Sequence, residues 1–139
     1  MSYKIIGKYI KNLDFNIPNP KTFFLLSKNI SNYKINIDIK SNQIKEKIIE
    51  IQTTLTLLPT KTDFEKINTK IIYSTIIELS DQIDDKNEIE KIILIKVPTE
   101  IYPELRRIFV FVFENSGFKD VKISENVNFL ELYNLRKVQ

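Results

Sequence analysis

The segment from Tyr33 to Lys40 alternates apolar and polar residues at every position. Successive side chains of a β-strand point to opposite faces of the sheet, so this alternation predicts a strand with one apolar and one polar face. Such a strand suits an antiparallel sheet that is covered on one side only. The apolar positions are Tyr33, Ile35, Ile37 and Ile39, and the polar positions are Lys34, Asn36, Asp38 and Lys40.

Three other segments in the first half of the chain also predict strands. They run from Ile5 to Ile17, from Lys47 to Leu57 and from Phe64 to Leu79. Polar turns at 41–43 and 59–63 join the last three strands, and connections this short favour antiparallel pairing. In the first strand we expect one face to carry Ile5, Tyr9, Leu13, Phe15 and Ile17, and the other to carry Lys8, Asn12, Asp14 and Asn16.

The first strand is long, N-terminal and apolar on one face, which favours a position at the edge of the sheet. An edge with this much apolar surface has to be covered or paired. Pairing with the same strand of a second copy of the chain satisfies that need. A homo-oligomer is therefore expected.

The second half of the chain predicts helices, and strands followed by helices indicate an α+β fold. A short helix is expected over Asn87–Ile95. Pro103 fits the first turn of a longer helix, where its missing N–H costs nothing, and Gly117 fits the position just past that helix's end. Asn128, followed three residues later by Glu131, predicts the cap of a last helix.

Length and composition limit the classes of function that the chain can have. The 139 residues are expected to form a single domain over 1–139. The absence of Cys and His excludes disulfides, thiolate metal sites, most zinc sites and Ser-His-Asp chemistry. The two glycines, Gly7 and Gly117, lie too far apart to build a phosphate-binding loop. We therefore expect no enzyme activity, no metal and no cofactor.

Charge and hydropathy limit the kinds of binding partner and the cellular compartment that are expected. The formal net charge of +3 comes from Lys residues scattered among acidic ones. The chain lacks the aromatic and basic strand signature of an RNA-binding sheet, so no nucleic-acid partner is expected. The longest apolar run, Ile108–Phe113, is far too short to span a membrane, and the N-terminus has no apolar run of signal-peptide length. A cytoplasmic protein without stable membrane insertion is the expectation.

Four parts of the chain, in this order, resemble the SecB family of bacterial export chaperones. Tyr9–Asn19 is similar to the family's first-strand pattern, Tyr-x-Lys-Asp-hydrophobic-Ser-Phe-Glu-x-Pro-Asn. Pro98–Arg107 is similar to its Pro-x-x-hydrophobic-Phe-Pro-x-Ala-Arg helix start, and Ser116–Phe118 matches its Gly-Phe turn. Val127–Tyr133 matches its hydrophobic-Asn-Phe-x-x-hydrophobic-Tyr/Phe segment. The match covers nearly the whole chain, which is identified as a divergent member of the family.

The resemblance implies a four-stranded antiparallel sheet with packing helices, in a tetramer built as a dimer of dimers. First strands pair across each dimer, and the long helix, expected here over Pro103–Ser116, lies between dimers. The implied oligomer interface on this chain consists of Tyr9, Leu13, Phe15, Leu105, Phe109 and Val112.

The resemblance also implies a holdase, which binds unfolded precursor proteins in a hydrophobic groove and keeps them competent for Sec-dependent export. The clients then pass to the SecA motor. A holdase needs exposed apolar surface that accepts many sequences. Packing in the core is the alternative role for each candidate side chain. The client contacts implied on this chain are Phe23, Phe24, Leu25, Leu26, Phe129, Leu132 and Tyr133.

Three positions depart from the family pattern. Asn12 and Asn16 stand where the first strand carries acidic residues that dock SecA, and Lys66 stands at a third such position in the fourth strand. These changes weaken the implied contact with SecA. Two alternatives therefore stay open: a SecB-like chaperone dedicated to one partner, such as an antitoxin or a single exported client, and an oligomeric binding module that has lost chaperoning.

Overall fold

The structure, a computed structural model, describes residues 2–60, 67–118 and 123–138. In chain order its elements are β1 (Tyr3–Asn16), α1 (Pro20–Asn29), β2 (Tyr33–Lys45), β3 (Ile48–Pro59), β4 (Asn68–Leu79), α2 (Lys86–Lys91), α3 (Val97–Glu114) and α4 (Phe129–Val138). A turn of 3-10 helix, Ile30–Asn32, precedes β2, and a π-helical turn, Ile92–Lys96, joins α2 to α3. Apart from α1 and the 3-10 turn, the strands precede the helices along the chain, as predicted.

The four strands form one antiparallel sheet in the order β1-β4-β3-β2. This order confirms the predicted sheet and places β1 at one edge, with β2 at the other. The predicted start of the fourth strand, 64–66, lies outside the described residues, as does much of the turn before it.

One face of the sheet packs against the helices and holds the core. Leu55, Ile71 and Ile77 of the sheet are completely buried there, together with Leu105 and Phe109 of α3. Burying one such side chain contributes roughly 1.5–3 kcal/mol, so this layer is the main source of stability. The other face carries mostly polar side chains, and we call it the open face.

β1 carries two β-bulges, at Ile6 and Lys11, which change the side chains that share a face. Each bulge adds one residue to β1 without a partner on β4, so the alternation of faces restarts after it. Tyr9 lies between the two bulges and therefore points to the open face. The prediction that Tyr9 shares a face with Leu13 and Phe15 was wrong for this reason.

α2, the π-turn and α3 form one uninterrupted helical segment from Lys86 to Glu114. Pro103 lies inside α3, so the prediction of a helix start at this residue was wrong. Buried residues at helical spacing begin earlier, with Val97 and Ile101. Their packing against the sheet keeps the chain helical on both sides of Pro103. Pro98 occupies the first turn of α3 instead. Within the three described ranges, no helix is both long enough and apolar enough to cross a membrane.

The predicted C-terminal end of α3 and the predicted N-terminal cap of α4 are confirmed. Gly117 has a φ of 96°, donates its N–H to the Glu114 carbonyl at 3.3 Å, and is followed by an N–H that donates to the Phe113 carbonyl at 3.0 Å. These two bonds form a Schellman motif. Asn128 Oδ1 accepts the N–H of Glu131 at 3.0 Å, which caps α4.

Candidate functional site

An apolar groove runs along the edge strand β2, on the side of the sheet that faces the helices. It consists of three adjoining cavities of about 840, 200 and 270 Å³. Ile37 and Leu132 line both the first and the second cavity, and Leu94 lines both the second and the third. We call this continuous depression the β2 groove. Its main lining residues are Ile30, Tyr33, Ile35, Ile37, Ile39, Ser41, Leu94, Tyr102, Val127, Phe129, Leu132 and Tyr133.

The outer wall of the β2 groove is α4 with the residues just before it. Tyr102 Oη donates to the Ser124 carbonyl at 2.7 Å, and Arg106 Nε donates to the Ile123 carbonyl at 3.1 Å. The Tyr102 ring also packs against the ring of Phe129, with centroids 6.0 Å apart. Burial raises the pKa of the Tyr102 hydroxyl, so this group stays a hydrogen-bond donor at neutral pH. These contacts hold the wall at a set distance from β2.

Three of the predicted client contacts belong to α4 and line the β2 groove. Leu132 is 46% exposed and lines two of the cavities. Phe129 and Tyr133 line the smallest cavity, but their side chains are largely buried beneath α4. They therefore support the wall as well as forming part of its surface.

The predicted contacts in α1 lie outside the β2 groove. Phe23 packs against Phe118, with ring centroids 5.0 Å apart, and Leu26 is buried in the core. Phe24 is 64% exposed, and Leu25 beside it is also exposed. The structure thus separates the predicted set into groove residues, core residues and a second exposed patch on α1.

Sequence reasoning missed the floor of the groove, which is β2 itself. Ile35, Ile37 and Ile39 were predicted to form the apolar face of the strand, and they are only half-buried because β2 is the last strand at its edge of the described sheet. Alternation reveals the face of a side chain but not the order of the strands. Leu94 and Tyr102 were missed as well, since their roles depend on how the helices cross the sheet.

The interface residues predicted on β1 are accessible to different degrees. Tyr9 and Leu13 are each 45% exposed, on opposite faces of the strand. Phe15 is half-buried and packs edge-on against Phe113, with centroids 5.0 Å apart. The first two can contact a second chain, whereas Phe15 mainly joins β1 to α3.

The interface residues predicted on α3 are mostly covered. Leu105 and Phe109 are fully buried in the core of the single chain, so they offer no surface to another copy. Val112 is half-buried. Phe111, which the sequence did not single out, is 64% exposed.

Polar side chains surround Glu50 on the open face of the sheet. Its carboxylate accepts hydrogen bonds from Ser74 at 2.7 Å, Tyr9 at 3.1 Å, Lys11 at 3.2 Å and Gln52 at 3.3 Å. The Ser74 bond and the other donors outweigh the effect of burial and lower the pKa of Glu50 to about 2. Glu50 is therefore ionised at neutral pH, and it ties β1 to β3 and β4 rather than serving as a proton donor.

A second ionic contact joins β1 to α3 on the helix-facing side. The first bulge turns Lys8 to this side, which corrects the prediction of a polar face for it, and its ammonium donates to Glu104 at 2.6 Å. Tyr73 donates to the same carboxylate at 2.8 Å. These donors lower the pKa of Glu104, while burial, followed by the carboxylate, raises the pKa of Tyr73 to about 12. Among the described residues, no cluster of acidic side chains could hold a metal ion.

The family described as preprotein translocase subunit SecB matches residues 1–139. The chain belongs to the SecB family. A protein-export protein SecB of Pelagibacter ubique is 39% identical over 135 residues, covering 97% of this chain and 96% of the relative. A protein-export protein SecB of Gluconacetobacter diazotrophicus is 24% identical over 147 residues, covering 99% of this chain and 84% of the relative. These relatives confirm the resemblance seen in the sequence motifs.

A solved SecB-like structure shares the fold. It is a SecB-like chaperone of Mycobacterium tuberculosis in complex with a peptide from an antitoxin, and it aligns with a TM-score of 0.65 at 7% identity. The alignment covers 91% of this chain and 88% of the other. At this level of identity the likeness concerns the fold alone. The sheet and helices of this chain are a SecB-like arrangement.

Two of the three positions that depart from the SecB pattern, Asn12 and Asn16, lie on the open face of β1. The Asn12 amide donates to Asp14 at 3.0 Å, and Asp14 lies opposite Lys70 of β4. The acidic group nearest to Asn12 therefore has a basic neighbour. Lys66, the third position, lies outside the described residues.

Proposed function

We propose that this SecB family member is a protein-export chaperone that binds unfolded precursor proteins in the β2 groove. It acts in the cytoplasm and keeps its clients competent for Sec-dependent export. The observation that carries the proposal is the groove itself, an accessible apolar channel that follows an edge strand from Tyr33 to Ser41. Large exposed apolar surfaces on soluble proteins mark binding sites.

The backbone of β2 suits an extended client. The Asn32 carbonyl accepts the N–H of Thr60 at 2.7 Å, which sets the phase of the β2–β3 hydrogen bonds. Bonded pairs alternate along antiparallel strands, so Ile35, Ile37 and Ile39 direct their N–H and C=O groups away from β3. A client that lies along β2 as an extended strand can therefore form main-chain hydrogen bonds and place alternate side chains in the cavities.

Two further observations support client binding. The SecB-like chaperone of Mycobacterium tuberculosis holds a peptide in its solved complex. In this chain, the exposed Phe24 and Leu25 offer a second apolar surface, which we propose extends the client contact beyond the groove. Apolar burial contributes roughly 25 cal/mol per Å² before ordering costs, so a broad apolar surface gives affinity without demanding one sequence.

Replacing Leu132 with Glu tests the groove. A client that covers this wall would strip the water from the new carboxylate, so we expect affinity for an unfolded client to fall about tenfold or more. The measurement is the Kd of a labelled, chemically unfolded protein by fluorescence anisotropy, with suppression of its aggregation as a second readout.

Leu130→Glu is the matched control for this experiment. Leu130 lies on the same helix and is similarly exposed, but it does not line the β2 groove. It should bind clients like the wild type. Equal binding by Leu132→Glu and the wild type would exclude the groove as the client site. No binding of any unfolded protein by the wild type would indicate an oligomeric binding module instead.

A SecB-like chaperone dedicated to one partner, without transfer to SecA, is the second candidate. It is favoured by Asn12 and Asn16, which are neutral where the family docks SecA through acidic residues. Exposed ion pairs contribute only about 0.2–1 kcal/mol each, but complementary charge also steers association and rejects mismatched partners. Titration against a typical SecA at low and high salt decides: tight, salt-sensitive binding supports transfer, and weak binding supports the dedicated chaperone.

A further inference from the structure

The π-turn between α2 and α3 contains one residue more than a regular helix would have there. The Val97 N–H bonds to the Ile92 carbonyl five residues earlier. Ile92, Val97, Ile101 and Leu105 are all buried, but the first interval is five residues and the next two are four. The extra residue therefore lies between Ile92 and Val97.

Pro98 and Thr99 follow the π-turn and leave it with altered hydrogen bonding. In an α-helix the N–H of residue 98 would bond to the carbonyl of Leu94, but Pro98 has no N–H. The Thr99 hydroxyl, one residue further on, donates to the Ile95 carbonyl at 2.6 Å. Such π-turns are frequent at functional sites.

The extra residue decides which side chains face the core. In a regular helix, the residues three and four positions before Val97 would face the core, and these are Leu94 and Ile93. The π-turn gives the core position to Ile92, which is completely buried. Ile93 and Leu94 are left half-buried and line the β2 groove. Ile95, also half-buried, lines none of the three cavities.

We propose that Leu94 is a specificity-determining residue of the β2 groove, and that the π-turn presents it there. This inference rests on the proposed function. Leu94 faces Ile37 and Ile39 across the smallest cavity, of about 200 Å³, which lies between the cavities of about 840 and 270 Å³. An extended client is accepted with a large side chain in the first cavity and only a small or aliphatic one beside Leu94.

The test uses a series of short unfolded peptides in which one position is either Phe or Ala. The varied position moves by one residue from each peptide to the next, so that in one peptide of the series it lies beside Leu94. The quantity is the ratio of the affinities for the Phe and Ala peptides. Leu94→Ala should raise this ratio about tenfold at one register, and Leu94→Phe should lower it, because a pocket discriminates side chains by the space it leaves. General destabilisation lowers both affinities together and leaves the ratio unchanged.

Ile95→Ala is the matched control, since it removes the same kind of side chain from the same π-turn outside the groove. Its ratio should equal that of the wild type at every register. The inference is overturned if Leu94→Ala and Ile95→Ala shift the ratio equally, or if neither Leu94 variant shifts it at any register. Leu132→Glu in the same assay separates the two proposals: if it binds all peptides like the wild type, the groove assignment itself has failed.

Discussion

Gly117 ends α3 and at the same time makes room for α1. Its φ of 96° is a conformation that other residues adopt only with strain. A Cβ built on it would lie 2.9 Å from Cε2 of Phe23. Phe23 in turn packs against Phe118, the residue after the glycine. One residue therefore serves both the helix end and the contact between two distant parts of the chain.

Gly117→Ala should lower the free energy of unfolding by about 1–3 kcal/mol, because it adds backbone strain and a clash with Phe23. Gly7→Ala is the control, since Gly7 has no positive φ and its nearest contact would be Cδ1 of Ile76 at an ordinary 3.6 Å. Urea unfolding at one protein concentration measures both variants. A Gly117 variant as stable as the Gly7 variant would contradict this account of the helix end.

Polar contacts on both faces of the edge strand β1 attach it to the rest of the fold. Glu50 holds Tyr9 and Lys11 on the open face, and Glu104 holds Lys8 on the helix-facing side. The first bulge makes this possible, because it reverses the faces of the residues that follow it and so turns Tyr9 to the open face and Lys8 to the helix-facing side. The strand is thereby fastened to β3 and α3 as well as to β4, although β4 is its only neighbour in the described sheet.

Glu50→Gln should lower the free energy of unfolding at neutral pH by about 1–3 kcal/mol, because its donors, among them the buried Ser74 hydroxyl, lose a charged acceptor. Folding lowers the pKa of Glu50 from 4.5 to about 2. The stability that the Glu50 carboxylate contributes is therefore fully present above about pH 4.5 and is lost as the pH falls through about 2. The denaturant midpoints of the wild type and of Glu50→Gln should therefore converge as the pH is lowered across this range.

Glu78→Gln is the control for the pH series. Glu78 pairs with Lys4 at 3.3 Å on a solvent-exposed surface, so its loss should cost about 1 kcal/mol or less. A gap between the wild type and the Glu50 variant that stays constant from neutral pH to pH 3 would show that the tie does not depend on the charge of the carboxylate.

At the scale of the whole molecule, we predict a homotetramer assembled through β1 and α3. The side chains available for it are Leu13 on β1 and Phe111 on α3, which stay exposed in the single chain. Phe111→Glu and Leu13→Glu should each yield smaller, folded species, since a buried unpaired charge opposes association. Sedimentation velocity at micromolar concentration measures the mass.

Ile44→Glu is the control for assembly. Ile44 is exposed to a similar degree but lies near the C-terminal end of β2, at the opposite edge of the sheet. Its mass should match that of the wild type. A wild-type protein that sediments as a monomer would exclude the tetramer.

The sequence by itself determined the features that depend on a few neighbouring residues. The alternation over Tyr33–Lys40 predicted a strand with two different faces, and the structure contains it as part of β2. Gly117 and Asn128 predicted two helix ends, because the backbone at each point needs a positive φ or a side-chain acceptor. The SecB motifs predicted the family, and through it the fold and the α4 side of the candidate site.

Only the tertiary structure decided which side Tyr9 faces, whether the long helix begins at Pro103, and where the groove lies. The bulges of β1 exist only in its pairing with β4. The helix continues through Pro103 because buried residues on both sides of it pack against the sheet. The groove exists because the strand order leaves β2 at an edge and the π-turn brings Leu94 to it. Each of these depends on contacts between residues far apart in the chain, and local patterns carry no information about such contacts.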